Sequence, residues 1–189
     1  MAYYVRTSTD PADNPSFELL DSHEFSGSLT KGEPASPEGL FTRAIQTSDH
    51  KYLPDIFTIA ALWVVSEDFK RVVEALEPGV HQFFPIALQR KDGESTEKQY
   101  YLLNICQHAG GLDLERTDTY WRDAPITHKP IQIVRPGGKI VLRKAAIEGL
   151  HLWRGESPVL GFIFFSDALM DAVLEAKLPA IVGTPVEEV

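Results

Sequence analysis

The sequence contains a single cysteine, Cys106, among its 189 residues. One cysteine can form no internal disulfide and cannot supply the paired cysteines of a Cys-x-x-Cys zinc site. A chain without a disulfide framework is typical of a reducing compartment, so we expect a cytoplasmic protein. No apolar run approaches the roughly 20 residues of a membrane span, and the opening residues do not form the apolar core of a signal peptide. We therefore expect no membrane partner.

Positive charge is also scarce, because 18 lysines and arginines face 27 aspartates and glutamates, giving a net charge of −9. Binding to nucleic acid requires a basic surface that neutralises phosphates, so this composition argues against a nucleic-acid partner. A net negative charge favours solubility, and it also speeds the encounter with a basic protein. More than half of the net charge lies in residues 1–50, where eight acids face three bases.

The length of the chain predicts a single domain spanning residues 1–189. Residues 1–50 are polar and rich in turn-forming residues, and they predict an irregular acidic part packed on a strand–helix core of residues 51–189. Within this first part, residues 3–6 and 17–20 have the composition of short strands at a sheet edge.

One pattern occurs twice, 100 residues apart. Residues 62–65 and 162–165 are apolar runs, and each is followed by a serine, Ser66 or Ser166, and then by an acid. Serine is a good helix N-cap, and an acid in the first turn complements the helix dipole. Apolar residues then recur at helical spacing. The sequence therefore predicts two principal helices, each following a buried strand, in an α+β fold that is mostly antiparallel β-sheet.

Two further turn signals predict β-hairpins. The segment Lys91-Asp92-Gly93-Glu94 separates strand-like residues 81–88 from residues 98–106, and Asp-Gly is a strong hairpin signal. The segment Pro136-Gly137-Gly138 separates apolar residues at 131 and 133 from the apolar run 140–142, which suggests a second hairpin.

No pattern of residues predicts a catalytic, cofactor-binding or metal site. The six histidines never show the His-x-x-x-His spacing that places two imidazoles on one helical face. A small hydrolase using His108, Asp113 and Cys106 is an alternative, because positions 106 and 108 share a face in a strand. No glycine-rich nucleophile elbow surrounds Cys106, however, and it ends an apolar run typical of a buried small side chain.

The segment from 107 to 129 has weak periodicity and yet includes Tyr120 and Trp121. Long irregular segments in compact domains are often functional, and tryptophan and tyrosine dominate the energetics of protein interfaces. The alternative is that Trp121 packs inward and the nearby acids are simply solvated. The candidate contacts for a protein partner are Asp113, Glu115, Asp118, Tyr120, Trp121 and Asp123.

Several motifs together resemble the DUF1629 family, also called immunity protein family 11. They are Tyr3-Tyr4, residues 64–69, residues 76–86, Tyr100-Tyr101-Leu102-Leu103-Asn104, Leu112-Asp113, His151-Leu152-Trp153-Arg154 and the closing strand–Ser166–helix pattern. The resemblance is strongest over residues 62–104 and 151–183 and weak over residues 7–50.

The resemblance implies a bacterial protein of a polymorphic-toxin system that binds and neutralises a toxin encoded nearby. It supplies no catalytic residues to transfer. The partner it implies is a cognate protein toxin, and a nuclease with a basic cleft would suit the net charge of −9. The chain itself is expected to be a monomer or a weak homodimer. Besides the hydrolase, a self-associating structural module that pairs exposed strand edges is an alternative.

Overall fold

Two six-stranded sheets form the framework of the computed structural model, which describes residues 1–10, 13–21, 28–124, 128–156, 162–178 and 180–189. Sheet 1 has the spatial order β11 (Val141–Leu142), β14 (Ile181–Glu188), β1 (Ala2–Thr7), β13 (Ile163–Ser166), β12 (Leu152–Gly155) and β8 (His108–Ala109). Sheet 2 has the order β2 (Phe17–Leu19), β3 (Arg43–Gln46), β6 (Gln82–Gln89), β7 (Tyr100–Asn104), β5 (Leu62–Ser66) and β4 (Ile56–Ile59).

In the described part of the chain, the remaining elements are a small separate sheet and four helices. The separate sheet pairs β9 (Thr119–Asp123) with β10 (Pro130–Val134). The helices are α1 (Ser28–Lys31), α2 (Glu67–Leu76), α3 (Lys144–Ile147) and α4 (Asp167–Glu175). Within the described residues, no helix combines the length and the apolar character that crossing a bilayer requires.

The fold is α+β, but the expectation of a mostly antiparallel sheet is wrong, because both six-stranded sheets are mixed. Parallel pairs join β3 to β6, β8 to β12 and β11 to β14. Each of these pairs brings together segments that are distant in the sequence. Local turn signals report only antiparallel neighbours, because a parallel pair requires a long crossover connection. The sequence pattern therefore could not reveal these pairs.

Both long helices begin directly after a central strand and share the same N-terminal geometry. The Ser66 hydroxyl accepts the Phe69 N–H at 3.3 Å, and the Ser166 hydroxyl accepts the Leu169 N–H at 3.2 Å. Each serine has extended backbone, with φ and ψ of −74° and 164° at Ser66 and −72° and 165° at Ser166. These bonds satisfy donors that a helix start otherwise leaves free.

Replacing Ser66 with alanine should destabilise the protein by about 1 kcal/mol, because a buried helix N-terminus then loses its acceptor. Ser66 is fully buried, so water cannot take over this role. Urea unfolding followed by circular dichroism would measure the loss, and Ser66→Thr, which keeps the hydroxyl, should recover part of it. An unchanged unfolding midpoint in Ser66→Ala would contradict the capping role.

The two strand–helix units lie in equivalent surroundings. In sheet 2, β5 lies between β4 and β7, and β6 returns after α2 on the far side of β7. In sheet 1, β13 lies between β12 and β1, and β14 returns after α4 on the far side of β1. All of these pairs are antiparallel. The strand near the start of the chain, β1, therefore occupies the interior of sheet 1 and not the edge position that its sequence suggested.

The main hydrophobic core lies where the two units face each other, since α2 contacts α4. Its fully or almost fully buried side chains come from both sheets and both helices: Val5, Val65, Phe69, Val73, Leu103, Ile163, Phe165, Leu169 and Val173. A second cluster covers sheet 2 and includes Leu29, Leu40 and Phe41 from the first 50 residues. A third covers sheet 1 and includes Trp153 and Phe164, whose rings stack at 5.5 Å.

One of the two predicted hairpins is confirmed and the other is wrong. β6 and β7 pair antiparallel across the Asp92-Gly93 turn. Pro136-Gly137-Gly138 also forms a turn, but it does not join paired strands. β10 pairs antiparallel with β9, which precedes it in the chain, and β11 pairs in parallel with the end of β14. Val141 and Leu142 are buried in the core of sheet 1. Their burial selects β14 as the partner strand of β11, although the nearest turn joins β11 to β10.

Candidate functional site

The contact arm, which we define as strands β9 and β10, carries Tyr120, Trp121 and Asp123 of the predicted partner segment on β9, while β10 follows that segment. Its two strands pair only with each other among the described strands. Trp121, in the middle of β9, leaves 66% of its surface accessible. A tryptophan this exposed is not packed in the core, so the alternative of an inward-packed Trp121 is not met.

The pairing register fixes which side chains share a face of the arm. Tyr120 lies opposite Ile133 and Arg122 opposite Ile131, while Trp121 lies opposite Gln132. Since side chains alternate along a strand, Tyr120 and Arg122 project from one face and Trp121 and Asp123 from the other. Tyr120 is half-buried, with the Arg135 guanidinium 5.6 Å from its ring centre.

Asp118 fixes the base of the arm. Its carboxylate accepts the Lys139 N–H at 2.9 Å, its own N–H donates to the Lys139 carbonyl at 3.0 Å, and its carbonyl accepts the Arg135 N–H at 2.8 Å. Val134 adds apolar contact with the third core cluster. The arm is therefore attached to the rest of the fold at its base.

Asp113 also makes hydrogen bonds within the chain. One of its oxygens accepts the N–H groups of Glu115 and Arg116, each at 3.1 Å, and the other contacts the Arg116 side chain at 3.3 Å. Glu115 and Asp123 have exposed side chains. The structure thus divides the six candidates into Asp113 and Asp118, whose carboxylates stabilise turns, and the other four, of which Glu115, Trp121 and Asp123 are exposed and Tyr120 is half-buried.

The charge around the arm is balanced. Between Asp113 and Lys139 there are four acids and five bases, namely Asp113, Glu115, Asp118 and Asp123 against Arg116, Arg122, Lys129, Arg135 and Lys139. The arm therefore offers an aromatic centre surrounded by charges of both signs. The excess negative charge of the chain lies elsewhere.

The three candidate hydrolase residues, Cys106, His108 and Asp113, do not form a common catalytic site. The Cys106 thiol contacts the Asn104 carbonyl at 3.5 Å and the Gln82 side chain at 3.8 Å, and burial raises its pKa, which disfavours the nucleophilic thiolate. His108 is exposed, and Asp113 stabilises its own turn. A cleft of about 520 Å³ includes Asp113 among its lining residues but neither Cys106 nor His108.

A buried carboxylate at the end of α2, that of Glu77, links the two sheets, and no sequence pattern predicted this role. Glu77 Oε1 accepts the His151 N–H at 2.7 Å, and Oε2 accepts the Leu152 N–H at 3.0 Å and the His81 Nε2–H at 2.9 Å. The Gln107 amide, oriented by its hydrogen bonds, donates to Oε1 at 2.8 Å.

His81 adopts one tautomer in this network. Its Nδ1 accepts the Cys106 N–H at 3.3 Å, so the ring hydrogen lies on Nε2 and points to Glu77. Its side chain is completely buried, and that of Glu77 is 5% exposed. The pair is enclosed and saturated by its own chain, so it serves to hold β12 against α2.

The stability of the protein should fall in acid partly through Glu77. Burial alone would raise the pKa of this carboxyl, but the bonds from His81, His151 and Leu152 outweigh burial and lower it. A carboxyl with a folded pKa below its unfolded value of about 4.3 contributes stability above that value and loses it as the pH falls through the folded pKa. Unfolding free energies measured from pH 7 to pH 3 should therefore decline less steeply for Glu77→Gln than for the wild-type chain. Parallel curves would contradict this assignment.

Within the described residues, no group of three or more histidine, cysteine, aspartate or glutamate side chains is arranged to hold a metal ion. The described residues also form an exposed two-stranded arm and an internal polar network around Glu77.

The described elements define an α+β protein built on two mixed sheets. A family model described as an immunity protein family, Imm11, matches residues 16–188. The chain belongs to this family, as the motifs in strands β5, β7 and β12 indicated. A search of curated proteins gave no match.

Proposed function

We propose that the chain binds and neutralises a cognate protein toxin without catalysing a reaction, and that the contact arm forms the centre of the interface. Membership of the immunity protein family supports a role in immunity. The observation that carries the proposed site is the exposure of Trp121 on an arm whose base is fixed by Asp118.

The energetic argument for Trp121 is that interface affinity is concentrated in a few residues. Tryptophan and tyrosine are enriched among these hot spots, since each buries a large area with few rotatable bonds. Trp121 is already held in a strand, so binding costs little conformational entropy. Asp123 projects from the same face and supplies a polar contact at the rim, while Tyr120 and Arg122 project from the opposite face of the arm.

Net charge assists the encounter more than it sets the affinity. At −9 the chain attracts a basic partner, such as a nuclease toxin with a positively charged cleft. Because the arm itself is balanced, we expect the long-range attraction to come from the rest of the surface and the specificity to come from the arm. The association rate should therefore fall as salt rises. We further propose that binding takes place in the cytoplasm, where the single cysteine stays reduced.

Co-expression with the product of the adjacent toxin gene tests the proposal. The two proteins should co-purify in a 1:1 complex, and cells carrying both should survive while cells carrying the toxin alone should not. Calorimetry with a catalytically inactive toxin should give a nanomolar dissociation constant, or about −12 kcal/mol. If the pair neither co-purifies nor protects cells, the proposed function is rejected.

A further inference from the structure

The outer edge of β9 is an unpaired strand edge with a defined hydrogen-bonding pattern. In an antiparallel pair, opposite residues alternate between hydrogen-bonded and non-hydrogen-bonded positions. The Arg135 N–H donates to the Asp118 carbonyl at 2.8 Å at the base of the arm, and the Ala124 N–H donates to the Lys129 carbonyl at 2.9 Å near its tip. With this register, Tyr120 and Arg122 direct their main-chain groups toward β10.

The alternate residues of β9 direct their main-chain groups away from β10. These are Thr119, Trp121 and Asp123, and each offers one N–H and one C=O along the outer edge. No strand in the described part of the chain pairs with this edge. Proteins usually protect exposed edges with proline, bulges or a covering element, and β9 contains no proline.

The opposite edge of the arm differs in this respect. On β10 the outward-facing residues are Pro130, Gln132 and Val134, and proline has no N–H to donate. Proline therefore weakens β10 as a template for another strand and leaves β9 as the more suitable edge. A two-stranded ribbon is only marginally stable by itself, so a third strand would also stabilise the arm.

We propose that β9 accepts an extended segment of the toxin as a third strand, with Thr119, Trp121 and Asp123 supplying the main-chain partners. This inference rests on the proposed function and specifies how its site is used. Main-chain hydrogen bonds would set the register, and alternate side chains would give specificity.

The arm also indicates the chemistry of the incoming strand. An apolar or aromatic side chain fits beside Trp121, a base beside Asp123 on the same face, and an acid beside Arg122 on the other. Pairing of β9 with a second copy of this chain is disfavoured, because each copy carries a net charge of −9 and the two repel each other. A net-basic toxin has the complementary charge.

Proline substitutions on the two edges test the proposal, because an outward-facing N–H can be removed without breaking the β9–β10 ladder. The probe is the catalytically inactive product of the adjacent toxin gene. Asp123→Pro should weaken its binding about tenfold more than Asp123→Ala does, since both lose the carboxylate and only the proline removes the N–H and obstructs the edge. Gln132→Pro, on the opposite edge, should bind as Gln132→Ala does, because both variants lose the amide that donates to the Thr119 hydroxyl and the N–H that proline removes does not face the added strand.

Thermal unfolding verifies that each variant is folded, and Thr119→Pro provides a second test of the same edge. If Asp123→Pro and Thr119→Pro bind as tightly as their alanine counterparts, or if Gln132→Pro is weakened equally, strand addition at β9 is overturned. The proposed function survives this result as long as the wild-type chain binds the toxin. Sedimentation of the chain alone completes the test: a wild-type dimer that Asp123→Pro dissociates would assign the edge to self-pairing and overturn the proposal.

Discussion

Replacing Glu77 with alanine should destabilise the folded chain by several kcal/mol, because each buried donor left without its acceptor costs about 1–3 kcal/mol. The substitution leaves His81 and the N–H groups of His151 and Leu152 without their acceptor in a region closed to water. Because unsatisfied buried donors are costly, the loss of folding stability should be larger than the loss caused by removing a surface carboxylate. Urea unfolding measured by tryptophan fluorescence would give the change in free energy.

Glu175 supplies the matched control, since it is an exposed glutamate near the end of the other long helix. Glu175→Ala should change stability by less than about 0.5 kcal/mol. Glu77→Gln, which keeps one acceptor oxygen, should fall between the two. Similar stabilities for Glu77→Ala and Glu175→Ala would show that the junction between α2 and β12 does not depend on this carboxylate.

Replacing Trp121 with alanine should weaken toxin binding by about 2–4 kcal/mol, or roughly 30-fold to 1,000-fold, as expected for a hot-spot tryptophan. Stability should hardly change, because the side chain is 66% exposed in the free protein. Calorimetric titration with the inactive toxin would measure the affinity, and loss of protection in co-expressing cells would follow.

Tyr52→Ala is the corresponding control, because Tyr52 is an aromatic residue outside the arm and is 75% exposed. It should bind the toxin as the wild-type chain does. If Trp121→Ala retained full affinity while Tyr52→Ala lost it, the interface would lie on the surface around Tyr52 and the arm would be rejected as the binding site.

The candidate site was only partly predictable from the sequence. Trp121 was selected because an aromatic pair stood in a segment with weak periodicity, and the structure places it on an exposed strand. The same reasoning grouped Asp113 and Asp118 with it, although both make hydrogen bonds that stabilise turns. The amino-acid composition shows that acidic residues are present, but it does not show which of their carboxylates accept hydrogen bonds from backbone N–H groups. Glu77 gave no signal, since its donors lie on segments that meet it only in the folded chain.

Features that act over a few residues follow from the amino-acid sequence alone. The helix starts at Ser66 and Ser166, the turn at Asp92-Gly93 and the net charge follow from capping, backbone preference and composition. The interior position of β1, the parallel strand pairs and the isolation of the arm, by contrast, arise only when the chain is folded. These arrangements join segments far apart in the chain, and their pairing depends on which surfaces are buried together, which no local pattern encodes.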